Sequence, residues 1–160
     1  MIPVTRLNHA VLYVRDADVA ADFYQAAFDF EVVERVPGRM AFLRARNGDN
    51  HHELGLFSVG SAAQPLADGP RVGLYHLAWE VPTIEDLAAA RTHLQELGAL
   101  MGQSDHGASK SLYARDPDGN EFEVVWIVPR EDWGEYADRG IVQPLDLDAE
   151  LARFGVNAHR

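Results

Sequence analysis

The chain repeats itself. Leu7-Asn8-His9-Ala10 is matched by Leu74-Tyr75-His76-Leu77, and FLRARNGDNHHELGLF (42–57) by LYARDPDGNEFEVVWI (112–127). The second match sets Asn50 against Asn120 and Glu53 against Glu123. An internal repeat decides architecture before any single element does, because each copy is one supersecondary unit that the fold uses twice.

Each copy reads β-α-β-β-β. In the first, LNHAVLYVRD (7–16) alternates and is rich in β-formers, so it reads as a strand. Asp16 is placed to cap a helix whose apolar face is Val19, Ala20, Phe23, Tyr24 and Ala27. Strand-like runs follow at 30–36, 39–46 and 52–59. In the second, LYHLAWEV (74–81) is a strand. Thr83 and Asp86 make a capping-box-like pair, Ile84, Leu87, Leu94 and Leu97 line a helix, and Gly98 stops it. Strands follow near 99–104, 109–115 and 121–127. Asp116-Pro117-Asp118-Gly119 between the last two has the residues of a tight type I turn.

The expected fold is therefore α+β: two tandem βαβββ modules, 4–59 and 73–127, in one domain spanning 1–127. The Gly-, Pro- and Ala-containing stretch 60–72 reads as the linker between them. Two such modules can set their sheets side by side as one curved mixed sheet with a concave face. Residues 128–160 form an acidic C-terminal extension, read as a packing element with a short helix after Asp148.

With 160 residues and 47% hydrophobic content the chain can bury a proper core. Its formal net charge of −11 argues against nucleic acid or an anionic membrane as partner, since both need a basic face. It has no cysteine, which removes disulfides, thiolate nucleophiles and thiolate-bound metal sites. The first residues, MIPVTRLNHAVLYV, have no basic segment followed by a long apolar run, so a cytoplasmic location is expected.

The chemistry concentrates at three repeat-related positions. His9 and His76 stand at equivalent points of the two first strands, and Glu123 sits on the last strand of the second module among Phe122, Val124, Val125 and Trp126. An unpaired carboxylate buried there would cost several kcal/mol, roughly. Two imidazoles and a carboxylate leave open coordination positions on a divalent ion, the ligand set of non-haem Fe(II) oxygenases and one that also suits Zn, Ni or Mn. A bound cation in the cleft between the modules would compensate Glu123. A hydrogen-bonded histidine in a strand and a glutamate facing water are the alternative, and spacing alone leaves both open.

The same residues resemble the vicinal-oxygen-chelate superfamily over about residues 4 to 127. LNHAVLYV, LYHLAWEV and DPDGNEFEV stand where that family places a ligand His, a second ligand His and a ligand Glu. SDHGASKSLYARDPDGNEFE is similar to the signature of its single-domain type I extradiol ring-cleavage dioxygenases, with His106, Leu112-Tyr113, Asp116-Pro117, Gly119 and Glu123 in order and Ser104 as the one departure. The resemblance implies Fe(II), with Mn, Ni or Zn as alternatives, bound by His9, His76 and Glu123. It implies a small aromatic diol and O2 as substrates, and a homodimer. It assigns acid-base work to His52, a hydrogen bond donated to a substrate oxygen to Tyr113, and a hold on the ring or that oxygen to His106.

Glu53 keeps a second reading open. As the repeat counterpart of Glu123 it could be a fourth ligand, giving the His-Glu-His-Glu site of a glyoxalase I-like lyase or an epimerase. Neighbouring residues of a strand point to opposite faces, so only one of His52 and Glu53 can face the site without a bulge. A small-molecule-binding resistance protein without catalysis is the third possibility.

Overall fold

The repeat is realised strand for strand in the computed structural model, which describes residues 1–64 and 72–156. The first module runs β1 (Ala10–Val14), α1 (Ala17–Phe28), β2 (Glu31–Val36), β3 (Met40–Arg44) and β4 (Leu54–Ser58). The second runs β5 (His76–Glu80), α2 (Ile84–Glu96), β6 (Leu100–Asp105), β7 (Ser109–Arg115) and β8 (Glu121–Ile127). Each has its own four-stranded mixed sheet, in the orders β1-β4-β3-β2 and β5-β8-β7-β6. In both, the helix carries the chain across so that first and last strands pair in parallel, and the other pairings are antiparallel. The linker expected at 60–72 falls mainly on 65–71, outside the described residues. No helix among the described residues is long and apolar enough to cross a membrane.

The chain divides into two compact units, Met1–Ala67 with Asp116–Gly119, and Asp68–Arg115 with Asn120–Arg160. In the first, α1 starts where expected: the Asp16 carboxylate accepts from the backbone N–H of Asp18 at 2.9 Å. Its buried face is Ala17, Ala20, Ala21 and Tyr24, while Val19 is 53% exposed. The spacing of large residues overstated that face; small alanines let the helix lie close on Ala41, Leu43, Leu54 and Leu56. Burying leucines of this kind stabilises by ~1.5–3 kcal/mol each.

In the second unit the Thr83 hydroxyl accepts from the N–H of Asp86 at 3.1 Å and caps α2. Ile84, Leu87 and Leu94 then bury against the β7 and β8 side chains Leu112, Ala114, Phe122 and Val124. Leu97, expected on that face, is the helix cap and is partly exposed. The extension belongs to this unit. It forms two 3-10 turns (Arg130–Asp132, Gly134–Ala137) and α3 (Leu147–Phe154), which packs on α2 and sets Phe154 5.3 Å from the Trp126 ring.

The turn Asp116–Gly119 is counted with the first unit because its acids are used there. Gly119 has φ +84, a conformation that favours glycine, and closes the turn by donating to the Asp116 carbonyl at 3.0 Å. Asp118 accepts from the Arg15 backbone N–H at 3.0 Å, and buried Asp116 accepts from the Tyr24 hydroxyl at 3.2 Å. Burial first, and then the charge of Asp116, push the Tyr24 phenol well above its ordinary range. The folded state therefore keeps this proton after the unfolded chain has lost it. The resulting stability is full below about pH 10 and is lost as pH rises beyond it. Urea unfolding should show Tyr24→Phe less stable than the parent by about 1 kcal/mol at neutral pH, with the gap narrowing above about pH 10.

Candidate metal centre

Strand alternation answers why Glu123 can sit in an apolar run. Along β8, Phe122, Val124 and Trp126 are buried toward the helices, and Glu121, Glu123 and Val125 point to the other face. On that face Glu123 is flanked by Ala78 of β5 and Tyr113 of β7, and His76 is opposite Glu121. His76 Nε2 and Glu123 Oε2 are 3.1 Å apart, with side chains 24% and 12% exposed. His76 Nδ1 is buried without a hydrogen-bond partner, its nearest carboxylate being Glu121 at 3.9 Å. The Tyr113 ring lies 5.7 Å from the His76 ring, and its hydroxyl is 2.8 Å from His106 Nε2. Burial first, and then the Glu123 charge, raise the Tyr113 phenol and keep it protonated. His76, Glu123, Tyr113 and His106 thus form one connected group on the second unit.

The first unit holds the other two expected residues. His9 lies just before β1, outside the strand expected from residue 7 onward, and its Nδ1 is 2.8 Å from the Asn8 side-chain oxygen. The His52 ring lies against those of His9 and Phe42, tilted to both, with ring centroids 4.7 and 4.6 Å away. Burial, and then the nearby His9 and His51, lower the His52 pKa, which favours the neutral imidazole. Glu53, in the connection just before β4, is engaged elsewhere. Its carboxylate accepts from the Ala45 N–H at 2.8 Å and lies against Gly48, where a Cβ would overlap it.

Among the described residues, no group of three or more His, Asp or Glu is gathered closely enough to hold a metal ion. His76 and Glu123 belong to one unit and His9 to the other. The pair itself fits a cation. Two ligand atoms each about 2.1 Å from one ion, in adjacent octahedral positions, lie about 3 Å apart, and the observed separation is 3.1 Å. Two further participants had not been singled out. Glu121 shares the Glu123 face and was readable from alternation. Ile141, whose carbonyl oxygen is 2.9 Å from His106 Nδ1, was not, because a backbone contact leaves no side-chain pattern.

Residues 6–124 match the model of the glyoxalase/bleomycin resistance protein/dioxygenase superfamily. The chain belongs to this superfamily. A catechol-2,3-dioxygenase from Bacillus subtilis is 33% identical over 94% of the chain and 53% of its own length. A biphenyl-2,3-diol 1,2-dioxygenase from Rhodococcus globerulus is 33% identical over 78% of the chain and 64% of its own length. The chain thus spans only about half to two thirds of these relatives. The fold also matches a fosfomycin resistance protein variant from Listeria monocytogenes, in complex with Mn(II), with TM-score 0.64, 18% identity, and 83% and 98% of the two chains covered. A protein of this fold is thus seen with a divalent ion bound.

The geometry of Glu53 yields a prediction. Glu53→Ala should lower stability by about 1–2 kcal/mol, through loss of a charge-assisted bond to Ala45, and leave divalent-ion binding, measured by calorimetry, unchanged.

Proposed function

We propose that the protein is a metal-dependent extradiol dioxygenase, cleaving a catechol-type ring beside its two hydroxyls with O2. One observation carries this reading: an imidazole and a carboxylate at ion-binding separation share a sheet face with the linked Tyr113 and His106. The dioxygenase names of two relatives at 33% identity support it. The position of Glu53, engaged with Ala45, weakens a four-ligand lyase or epimerase site.

In this reading His76, Glu123 and His9 hold Fe(II), or alternatively Mn, Ni or Zn. When bound, the ion supplies positive charge that favours the deprotonated diol and a centre at which diol and O2 meet. The protein's own groups do the rest. Neutral His52, with its pKa lowered, is the base that takes a diol proton. Tyr113 and His106 orient the ring through a hydrogen bond to a substrate oxygen. A second copy of the chain is the partner best matched by Val11 and Tyr13, 51% and 77% exposed on edge strand β1.

Anaerobic loading with Fe(II), followed by a panel of catechols and O2, should give oxygen uptake and a coloured ring-fission product. His76→Ala and Glu123→Gln should each lose both the metal, by elemental analysis, and the activity. A panel with no uptake by the iron-loaded protein removes the proposal. Tyr113→Phe should lower kcat of order 100-fold with the metal retained.

A further inference from the structure

The family match ends at residue 124, yet the chain beyond it reaches into the site. Asp105, at the end of β6, and Gln143 exchange two backbone hydrogen bonds, 2.8 and 2.9 Å long. Gln103 donates to the Leu145 carbonyl at 2.7 Å. Lys110, its side chain only 4% exposed, pairs with Asp105 at 2.6 Å and with Glu150 of α3 at 3.5 Å. A buried pair of this kind adds little net stability but penalises any arrangement that separates it. Gly107, with φ +77, lies flat against the Tyr136 ring, where a side chain would collide. The extension is thereby fixed along residues 103–110 on both sides of His106.

The consequence is one hydrogen bond. His106 Nδ1 is 2.9 Å from the Ile141 carbonyl oxygen, which can only accept. Nδ1 must therefore carry the proton, and in the neutral ring Nε2 is left with its lone pair. That lone pair faces the Tyr113 hydroxyl at 2.8 Å, so the phenol O–H donates to it. With its only hydrogen used, Tyr113 has just oxygen lone pairs to offer.

We infer that the C-terminal extension, through the Ile141 carbonyl, holds His106 in the Nδ1–H tautomer and so makes Tyr113 a hydrogen-bond acceptor toward the diol rather than a donor. Ile141 is a positioning residue: it acts on Tyr113 through His106 and touches no substrate. The direction is the reverse of the one the family resemblance implies for Tyr113. An acceptor at this point selects a substrate that still carries a hydroxyl hydrogen there, that is, a diol entering with one O–H intact. The inference rests on the dioxygenase reading for its role, but the tautomer can be read without metal or substrate.

The test is long-range proton–nitrogen correlation NMR on the full chain labelled with 15N-histidine, which distinguishes the two neutral tautomers by their cross-peak patterns. The His106 signals are assigned by their loss in His106→Gln. The parent protein should show Nδ1–H at His106. Tyr113→Phe should show the same, since the tyrosine does not set the tautomer. Gln143→Pro removes one of the two hydrogen bonds to Asp105 and should shift His106 toward Nε2–H. Nε2–H in the parent or in Tyr113→Phe, or unchanged Nδ1–H in Gln143→Pro, overturns the inference. Should Gln143→Pro fail to fold, the first two samples still decide it. An Nδ1–H tautomer without ring cleavage would remove the dioxygenase reading alone; cleavage with Nε2–H would remove this inference alone.

Discussion

Parallel pairing of β5 with β8 is the constraint on which the candidate site depends. His76 and Glu123 are far apart in sequence, and they meet because α2 carries the chain back so that the first and last strands of the module become neighbours. The register is as important as the pairing. Slipping β8 by one residue would turn Glu123 toward α2 and bring Phe122 and Val124 into the site face. Two features oppose that slip. The tight Asp116–Gly119 turn sets where β8 leaves β7, and the alternating apolar set Phe122, Val124 and Trp126 is buried only in this register.

The two modules share this topology but do not use it alike. β3 and β4 are joined by residues 45–53, β7 and β8 by the shorter 116–120. The longer connection lets the Glu53 carboxylate fold back onto the Ala45 N–H, a bond that its repeat counterpart Glu123, inside a strand, cannot imitate. One glutamate thus stabilises a turn, and the other sits on a sheet face beside an imidazole. A histidine stands just before β1 and another at the start of β5, but they meet different company: Asn8 and His52 around His9, Glu121 and Glu123 around His76.

The order of elements was legible in the sequence because alternation and helical spacing are local. Asp16 and Thr83 marked the helix starts for the same reason, since a cap is a short-range bond. What was not legible is also physical. The buried face of α1 rests on alanines, whose small side chains carry a weak periodic signal, so Val19 was placed inside although it is exposed. Strand starts were read too early at His9 and at His52, since β1 begins at Ala10 and β4 at Leu54. His76, Tyr113, His106 and Glu123 were readable as a set from their motif, and they do lie together on the second unit. The hold of the extension on His106 was hidden, because the bonds at Ile141, Gln143 and Leu145 are made by main-chain atoms.

The charges on the site face separate the two carboxylates of β8. Glu121 has Arg115 within 3.8 Å, and Tyr75 next to it has its phenol raised chiefly by the Glu121 charge. Glu123 faces an imidazole instead of a guanidinium. A carboxylate only 12% exposed, in a partly desolvated place, is stabilised by a nearby cation. An ion held between His76 and Glu123 would supply that charge and employ the ring nitrogen and the carboxylate oxygen at the separation they already have. That is the physical reason for proposing Glu123, and not its neighbour two residues away, as a metal ligand.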